Sequence, residues 1–262
     1  MFDILTYSID KIQLFFLILI RISGLFIIAP VFSNQALPKM AKVAATLMFS
    51  LLLVTVFKDT VITPAISMIE LVGMCFREML VGVLIGLVFN LIFISVQGAG
   101  SLAGYQMGMY IASALDPMTQ GESSQIGTFW ALLATLVFLA IDGHYLIIQA
   151  LVTSFQAIPP GMVTMNGTVG DLIIKYSAYI FVIALKIVSP VMVTLFLVDI
   201  SLGTVAKMMP TMNVFFVGMP VKIVAGLAVM AMSMPIFRYV LEKVTLYLND
   251  ELQVLLVAMG KA

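Results

Sequence analysis

Apolar residues come in long blocks along this chain, and polar residues mark the joints between them. Apolar stretches occupy residues 12–33, 43–57, 79–97, 126–141, 145–158, 176–198 and 214–237. Their lengths predict helices. Several are shorter than the ~20 residues that cross a bilayer. Three carry a charge near the middle: Arg21, Lys186 and Lys222. Asp142-Gly143-His144 divides what would otherwise be one very long run. Pro30, Pro38, Pro64 and Pro159-Pro160-Gly161 read as turns. The best internal boundary lies at 159–170, with a larger helical part, 1–158, before it. The part after it, 159–262, holds two long apolar segments joined around Asp199 to Pro220. The pattern predicts an all-α, membrane-associated chain of tightly nested helical hairpins, shielded by partner proteins, rather than a row of independent straight spans.

The sharpest periodicity lies between Phe76 and Gly108. At ~100° per residue, Gly82, Gly86, Asn90, Gln97, Gly100, Gly104 and Gly108 fall within an arc of about 80°. One face of a long helix is therefore small or polar, and the rest is bulky. If continuous to Gly108, that helix is about 48 Å long, more than the ~30 Å hydrocarbon core. Each helical glycine costs roughly 1 kcal/mol against alanine. Close packing of another backbone on the small face offsets that cost. After Gly108 the pattern stops. Asp116-Pro117 and Gln120-Gly121-Glu122-Ser123-Ser124 read as a polar loop. A close-packing helix that feeds a polar loop points to a gated assembly more than to an enzyme.

Composition sharpens the class. The 262 residues are 62% hydrophobic and only 10% charged, where a soluble domain has about 25% charged residues. The formal net charge is zero, so no nucleic-acid footprint exists. One cysteine, Cys75, and one histidine, His144, leave no basis for an internal disulfide and little for a metal site. Asp3 and Asp10 precede a long apolar run, which reads as a retained helix and not as a cleavable signal.

Arg21, Glu78, Asp142, Lys186, Asp199 and Lys222 lie in or beside apolar runs, and Arg77 adjoins Glu78. Charges in such places face a protein interior or water. They serve either as an ion relay, as in a secondary transporter, or as pairs within or between subunits. Asp199, Gly203 and Lys207 share one side of a helix; this is either a plain helix surface or an assembly face. Met107, Met109 and Met118 flank the central loop, and Met208, Met209, Met212 and Met219 crowd the C-terminal one. They are core filler, or a compliant seal around a passing polypeptide. His144 beside Asp142 has no accompanying nucleophile motif and reads as a turn residue. Walker A, Rossmann, HExxH and Gly-x-Ser-x-Gly patterns are missing. The expectation is a non-enzymatic protein without a cofactor.

Several of these pieces, taken together, resemble the FliR/SctT family of type III secretion export-gate proteins. They are Phe76-Arg77-Glu78 with Gly82 and Gly86; Gly104-x-Gln106-x-Gly108; Asp116-Pro117; Gly143-His144; and Pro159-x-Gly161. The C-terminal part adds Pro190, Asp199, Gly203 and Pro210-x-x-Asn213-x-Phe215-x-x-Gly218-x-Pro220-x-Lys222. Asp116-Pro117 with Gly121 and Ser124-Gln125 looks flagellar rather than injectisome-like. Lys207 departs from the family pattern, where arginine is expected.

The resemblance implies a subunit of a protein export gate that conducts unfolded flagellar proteins. It implies a FliP-like first part (1–158) and a FliQ-like helical hairpin (159–262). Implied partners are FliP-like and FliQ-like subunits, a FlhB-like protein and a cytoplasmic ATPase complex. The implied site is the bacterial inner membrane at the flagellar basal body, with the assembled core largely at the periplasmic level. The loop from Tyr110 to Gln125 becomes a channel plug, with Tyr110, Ile111, Ala114, Leu115, Asp116, Pro117, Met118 and Glu122 as candidate gate residues. Its alternative is an exposed linker. Gly82, Gly86, Gly100, Gly104 and Gly108 become helix-packing positions, and Arg77, Glu78, Asp199, Lys207 and Lys222 buried-charge or assembly positions. An injectisome gate of the SctT type and a solute or ion transporter are the alternatives. A transporter calls for inverted repeats, and no convincing pair is seen.

Overall fold

A computed structural model describes residues 2–34, 37–57, 67–110, 124–164, 167–209, 211 and 213–260. Among them every regular element is a helix: α1 (Phe2–Ile28), α2 (Lys39–Val56), α3 (Met68–Gln106), α4 (Gln125–Ala140), α5 (Gly143–Ala157), α6 (Gly167–Met208), α7 (Val214–Met232) and α8 (Met234–Gly260). The chain is all-α, as its apolar blocks predict.

The helices outrun the apolar blocks. α3 has 39 residues, about 58 Å at 1.5 Å per residue, because it starts at Met68 instead of near Phe76. It also ends sooner than expected, at Gln106. Gly108 has φ 80° and lies beyond the helix. Its N–H donates to the Tyr105 carbonyl at 2.9 Å, and the Met109 N–H donates to the Gly104 carbonyl at 3.1 Å. This pair of bonds is a Schellman stop, in which a glycine takes the left-handed position without steric cost. α6 runs for 42 residues through Pro190. Among the described residues four helices are long and apolar enough to cross a membrane: α1 from Lys11, α2, α3 and α6. Up to six spans result if α4 with α5, and α7 with α8, each count as one.

Asp142 breaks the α4–α5 run in the left-handed region, at φ 56°. Ser124 starts α4: its side chain accepts the Gly127 N–H at 3.0 Å, a standard N-cap bond. α8 is the element that the apolar blocks miss. Phe237, Leu241, Val244, Leu248, Leu252, Leu255 and Met259 are buried along it, at spacings of three or four residues. Arg238, Glu242, Lys243, Asp250 and Glu251 interleave them and lower the local hydropathy.

The chain forms two compact units. One comprises Met1–Leu91, Asp142–Ser177 and Thr245–Ala262; the other comprises Ile92–Ile141 and Ala178–Val244. α3, α6 and α8 contribute to both. The core of the first unit includes Leu17, Ile18, Ile85, Ile147 and Leu252. The core of the second includes Val96, Ala134, Phe138, Val191 and Leu195. There Phe93 meets Phe138 edge-on at 5.4 Å, and Trp130 meets Phe237 at 5.1 Å.

Candidate functional site

In the first unit, α1 and α3 cross backbone to backbone. A Cβ on Gly82 would land on the Arg21 carbonyl oxygen. One on Gly86 would sit 3.0 Å from the Ala29 nitrogen, and one on Gly24 would sit 2.6 Å from the Met79 carbonyl oxygen. Gly24 is the α1 counterpart of the α3 glycine face. The sequence reading passed over it because α1 has no second glycine to make a period.

That crossing encloses an ion pair. Arg21 and Glu78 side chains are both 0% exposed, with Nε to Oε2 at 2.6 Å. The other Arg21 nitrogens donate to Ser154 Oγ at 3.2 Å and to the Ile158 carbonyl at 3.1 Å. The guanidinium carbon lies 4.2 Å from the centre of the Phe155 ring. The second Glu78 oxygen accepts the Gly161 N–H at 2.8 Å. One residue pair thus joins α1, α3, the end of α5 and the Pro159-Pro160-Gly161 turn. Gly161 has φ 86°, so only a residue without a Cβ readily offers its N–H from there. Ser154, Phe155 and Gly161 as partners were not legible from the sequence, which named only the two charges. Arg77, grouped with Glu78 as a buried charge, is exposed: adjacent helical residues point ~100° apart, and the interior took Glu78.

The second unit repeats the close crossing. A Cβ on Gly100 would lie 2.7 Å from Gly127 Cα. One on Gly104 would lie 3.3 Å from Ser124 Oγ and 3.6 Å from Ile126. The end of α3 and the start of α4 therefore touch, and these are the stems on either side of 111–123. Tyr110 is partly buried, with its ring centre 6.1 Å from that of Tyr105. Ile111, Ala114, Leu115, Asp116, Pro117, Met118 and Glu122 lie outside the described residues.

Beside the α3 stem, α6 and α7 are tied by an ion pair between Asp199 and Lys222. Gln106 Nε2 donates to the other Asp199 oxygen at 3.3 Å. Met107, Gly108, Leu202, Gly218 and Met219 join this pair around a cavity of 200 Å³. Gly218 approaches Leu202 and Gly226 approaches Met107, so α7 presents its small residues to this corner. Lys207, eight positions after Asp199, is exposed. It is not paired with Asp199, whose partner comes from the next helix. Lys186 is also exposed and lies 5.9 Å from the Tyr179 ring centre. His144 is partly exposed with a buried Nδ1 that has no hydrogen-bond partner among the described residues. No cluster of three His, Cys, Asp or Glu side chains suited to a metal occurs among the described residues. What the second unit offers is mechanical: a fixed helix end, a short polar clasp, and deformable methionines around it.

The family described as bacterial export proteins, family 1, matches residues 12–247. The flagellar biosynthetic protein FliR of Bacillus subtilis (strain 168) is 32% identical over 259 residues, covering 96% of this chain and 98% of the relative. FliR of Escherichia coli (strain K12) is 27% identical over 225 residues, covering 86% of this chain and 85% of the relative. FliR of Caulobacter vibrioides is 27% identical over 218 residues, covering 83% and 87%.

Proposed function

This chain belongs to the bacterial export proteins, family 1, as a non-enzymatic component of the flagellar export apparatus, and we propose that it forms part of the wall of a type III export gate closed by its own loop. In this reading 1–158 acts as a FliP-like part and 159–262 as a FliQ-like hairpin. FliP-like and FliQ-like subunits and a FlhB-like protein are its neighbours, and unfolded flagellar proteins are its cargo. It sits in the inner membrane at the basal body, with the assembled core largely at the periplasmic level. Arg77 and Lys207, both exposed, serve as assembly contacts with those neighbours.

The observation that carries the plug reading is the pair of touching stems, Gly100 on Gly127 and Gly104 on Ser124. A loop whose two ends are pinned together and clasped by Gln106, Asp199 and Lys222 can be displaced without pulling its helices apart. A gate needs such a segment, because a switch between closed and open states requires a small difference in free energy between them. Asp116-Pro117 limits helix continuation through the loop, since proline disfavours helical geometry in the residue before it.

The test replaces Ile111 to Glu122 with a Gly-Ser linker and measures dye entry or conductance across the inner membrane. Assembly is checked by co-purification. The expected result is an intact complex that leaks ions and small solutes, most clearly in cells without active export. Intact assembly with no added leak removes this loop as the seal.

A further inference from the structure

We propose that the α1–α2 hairpin of this chain holds an anionic phospholipid, with the headgroup at Lys42 and one acyl chain in the groove between the helices. The groove has a volume of 360 Å³, within the range of sites that hold small organic molecules. Leu19, Phe26 and Ile27 of α1 and Val43 and Leu47 of α2 form its walls. Three hydroxyl residues also line it. Ser23 and Thr46 donate inward along their own helices, to the Leu19 carbonyl at 2.7 Å and to the Lys42 carbonyl at 2.8 Å, and Ser33 stands at the Lys42 end. Away from the Lys42 end the walls are therefore apolar in effect. From Leu19 to Ile27 the groove follows about 12 Å of helix, enough for the upper half of an acyl chain.

One end differs. Lys42 lines the groove near the α1–α2 turn and donates to the Ser33 carbonyl at 2.9 Å. An ammonium has three donors, so this bond aims Lys42 at the mouth and leaves capacity for a phosphate oxygen. Lys39, one turn earlier on α2, adds a second positive charge on the same side. No Asp or Glu occurs between Lys11 and Lys58, so no acid lies on the groove-lining stretch of either helix; Asp3 and Asp10 are at the opposite end of α1. Both helices are long and apolar enough to cross a membrane. Lysines at the end of such a hairpin sit at headgroup level. Ile27 is 61% exposed and Val43 56% exposed at the rim, where a second acyl chain of the same lipid would cover them. A neutral apolar partner helix would leave Lys42 facing hydrocarbon. An anionic lipid satisfies the charge and the groove together.

The chain, co-purified with its export-apparatus partners, is placed in nanodiscs of phosphatidylethanolamine with and without phosphatidylglycerol. Lipid retained after detergent washing is then quantified by mass spectrometry. Wild type should retain phosphatidylglycerol selectively. Lys42→Gln should weaken that retention about fivefold, the weight of one interfacial lysine, and Lys42→Arg should keep it. Val43→Trp, which fills the groove from an exposed position, should abolish it. Equal retention of both lipids that ignores Lys42→Gln overturns the proposal. So does a photocrosslinker at position 43 that attaches to a partner subunit instead of to lipid.

Discussion

Glu78→Ala is the substitution to which the fold should be least tolerant, and the structure says why. Glu78 and Arg21 are both fully buried. Removing the carboxylate leaves the guanidinium with Ser154 Oγ, the Ile158 carbonyl and the Phe155 ring, but without a countercharge. Breaking a buried pair in this way costs about 3–5 kcal/mol. The Gly161 N–H loses its acceptor as well, which adds roughly 1–3 kcal/mol at most for a part-buried donor left unpaired. Together these reach about 4–8 kcal/mol, comparable with the whole stability of a typical domain, about 5–15 kcal/mol. The double substitution Arg21→Met, Glu78→Leu separates charge from packing. It removes both ions and leaves the Ile158 carbonyl and the Gly161 N–H unpaired, so it should cost about 2–4 kcal/mol, less than Glu78→Ala. Glu78→Gln keeps an acceptor but turns an amide donor toward another donor, and should fall between them. The assay is stepwise heating of the chain co-purified with its partners, read as the fraction of intact complex, alongside its steady-state level in cells. The expected order of loss is Glu78→Ala, then Glu78→Gln, then the double variant. A Glu78→Ala protein with a wild-type midpoint would refute the reasoning. A double variant as damaged as Glu78→Ala would show that packing, not an uncompensated charge, sets the cost.

Other expectations follow from the glycines and the clasp. Gly100→Ala puts a methyl 2.7 Å from Gly127 Cα and should cost 1–3 kcal/mol, within the usual range for overpacking, with lower assembly yield and motility. Gly98→Ala meets nothing within 4 Å and should instead stabilise by about 1 kcal/mol; equal effects of the two would mean that the face does not pack as described. Gly104→Leu should likewise fail to assemble, because its side chain would drive Ser124 and Ile126 from the stem. Lys222→Glu opposes two acids across α6 and α7, and Asp199→Lys in the same chain should restore motility; the lack of rescue would mean that Lys222 acts through another partner. The pair is partly exposed, so the stability effect should stay near 1 kcal/mol or less even where motility changes.

What could be read from the sequence was whatever repeats along one helix. The glycine face of α3 was legible because Gly82, Gly86, Gly100 and Gly104 share one direction at the helical period, and a glycine row on an apolar helix needs a backbone against it. Gly108 was misread as part of that row. It is in phase with the others, but the same glycine that packs a helix also ends one, and which it does depends on the residues that follow. The isolated charges were legible as residues needing partners, but not which partners. Arg21 finds Glu78 57 positions away, and Asp199 finds Lys222 on the next helix instead of Lys207 on its own. Lys207 shares a side of α6 with Asp199 but lies about 12 Å along the axis at 1.5 Å per residue; the choice of partner between helices is made in tertiary packing. α8 escaped for the opposite reason, since its apolar stripe is regular but diluted by charge. A hydropathy average falls there, whereas a count of apolar positions at intervals of three or four does not. Block hydropathy measures how much of a helix is apolar, while packing depends on which side is. A chain whose helices bury one side against one another and leave the other for lipid or partners is read best by direction, and that is also where its assembly contacts should be sought.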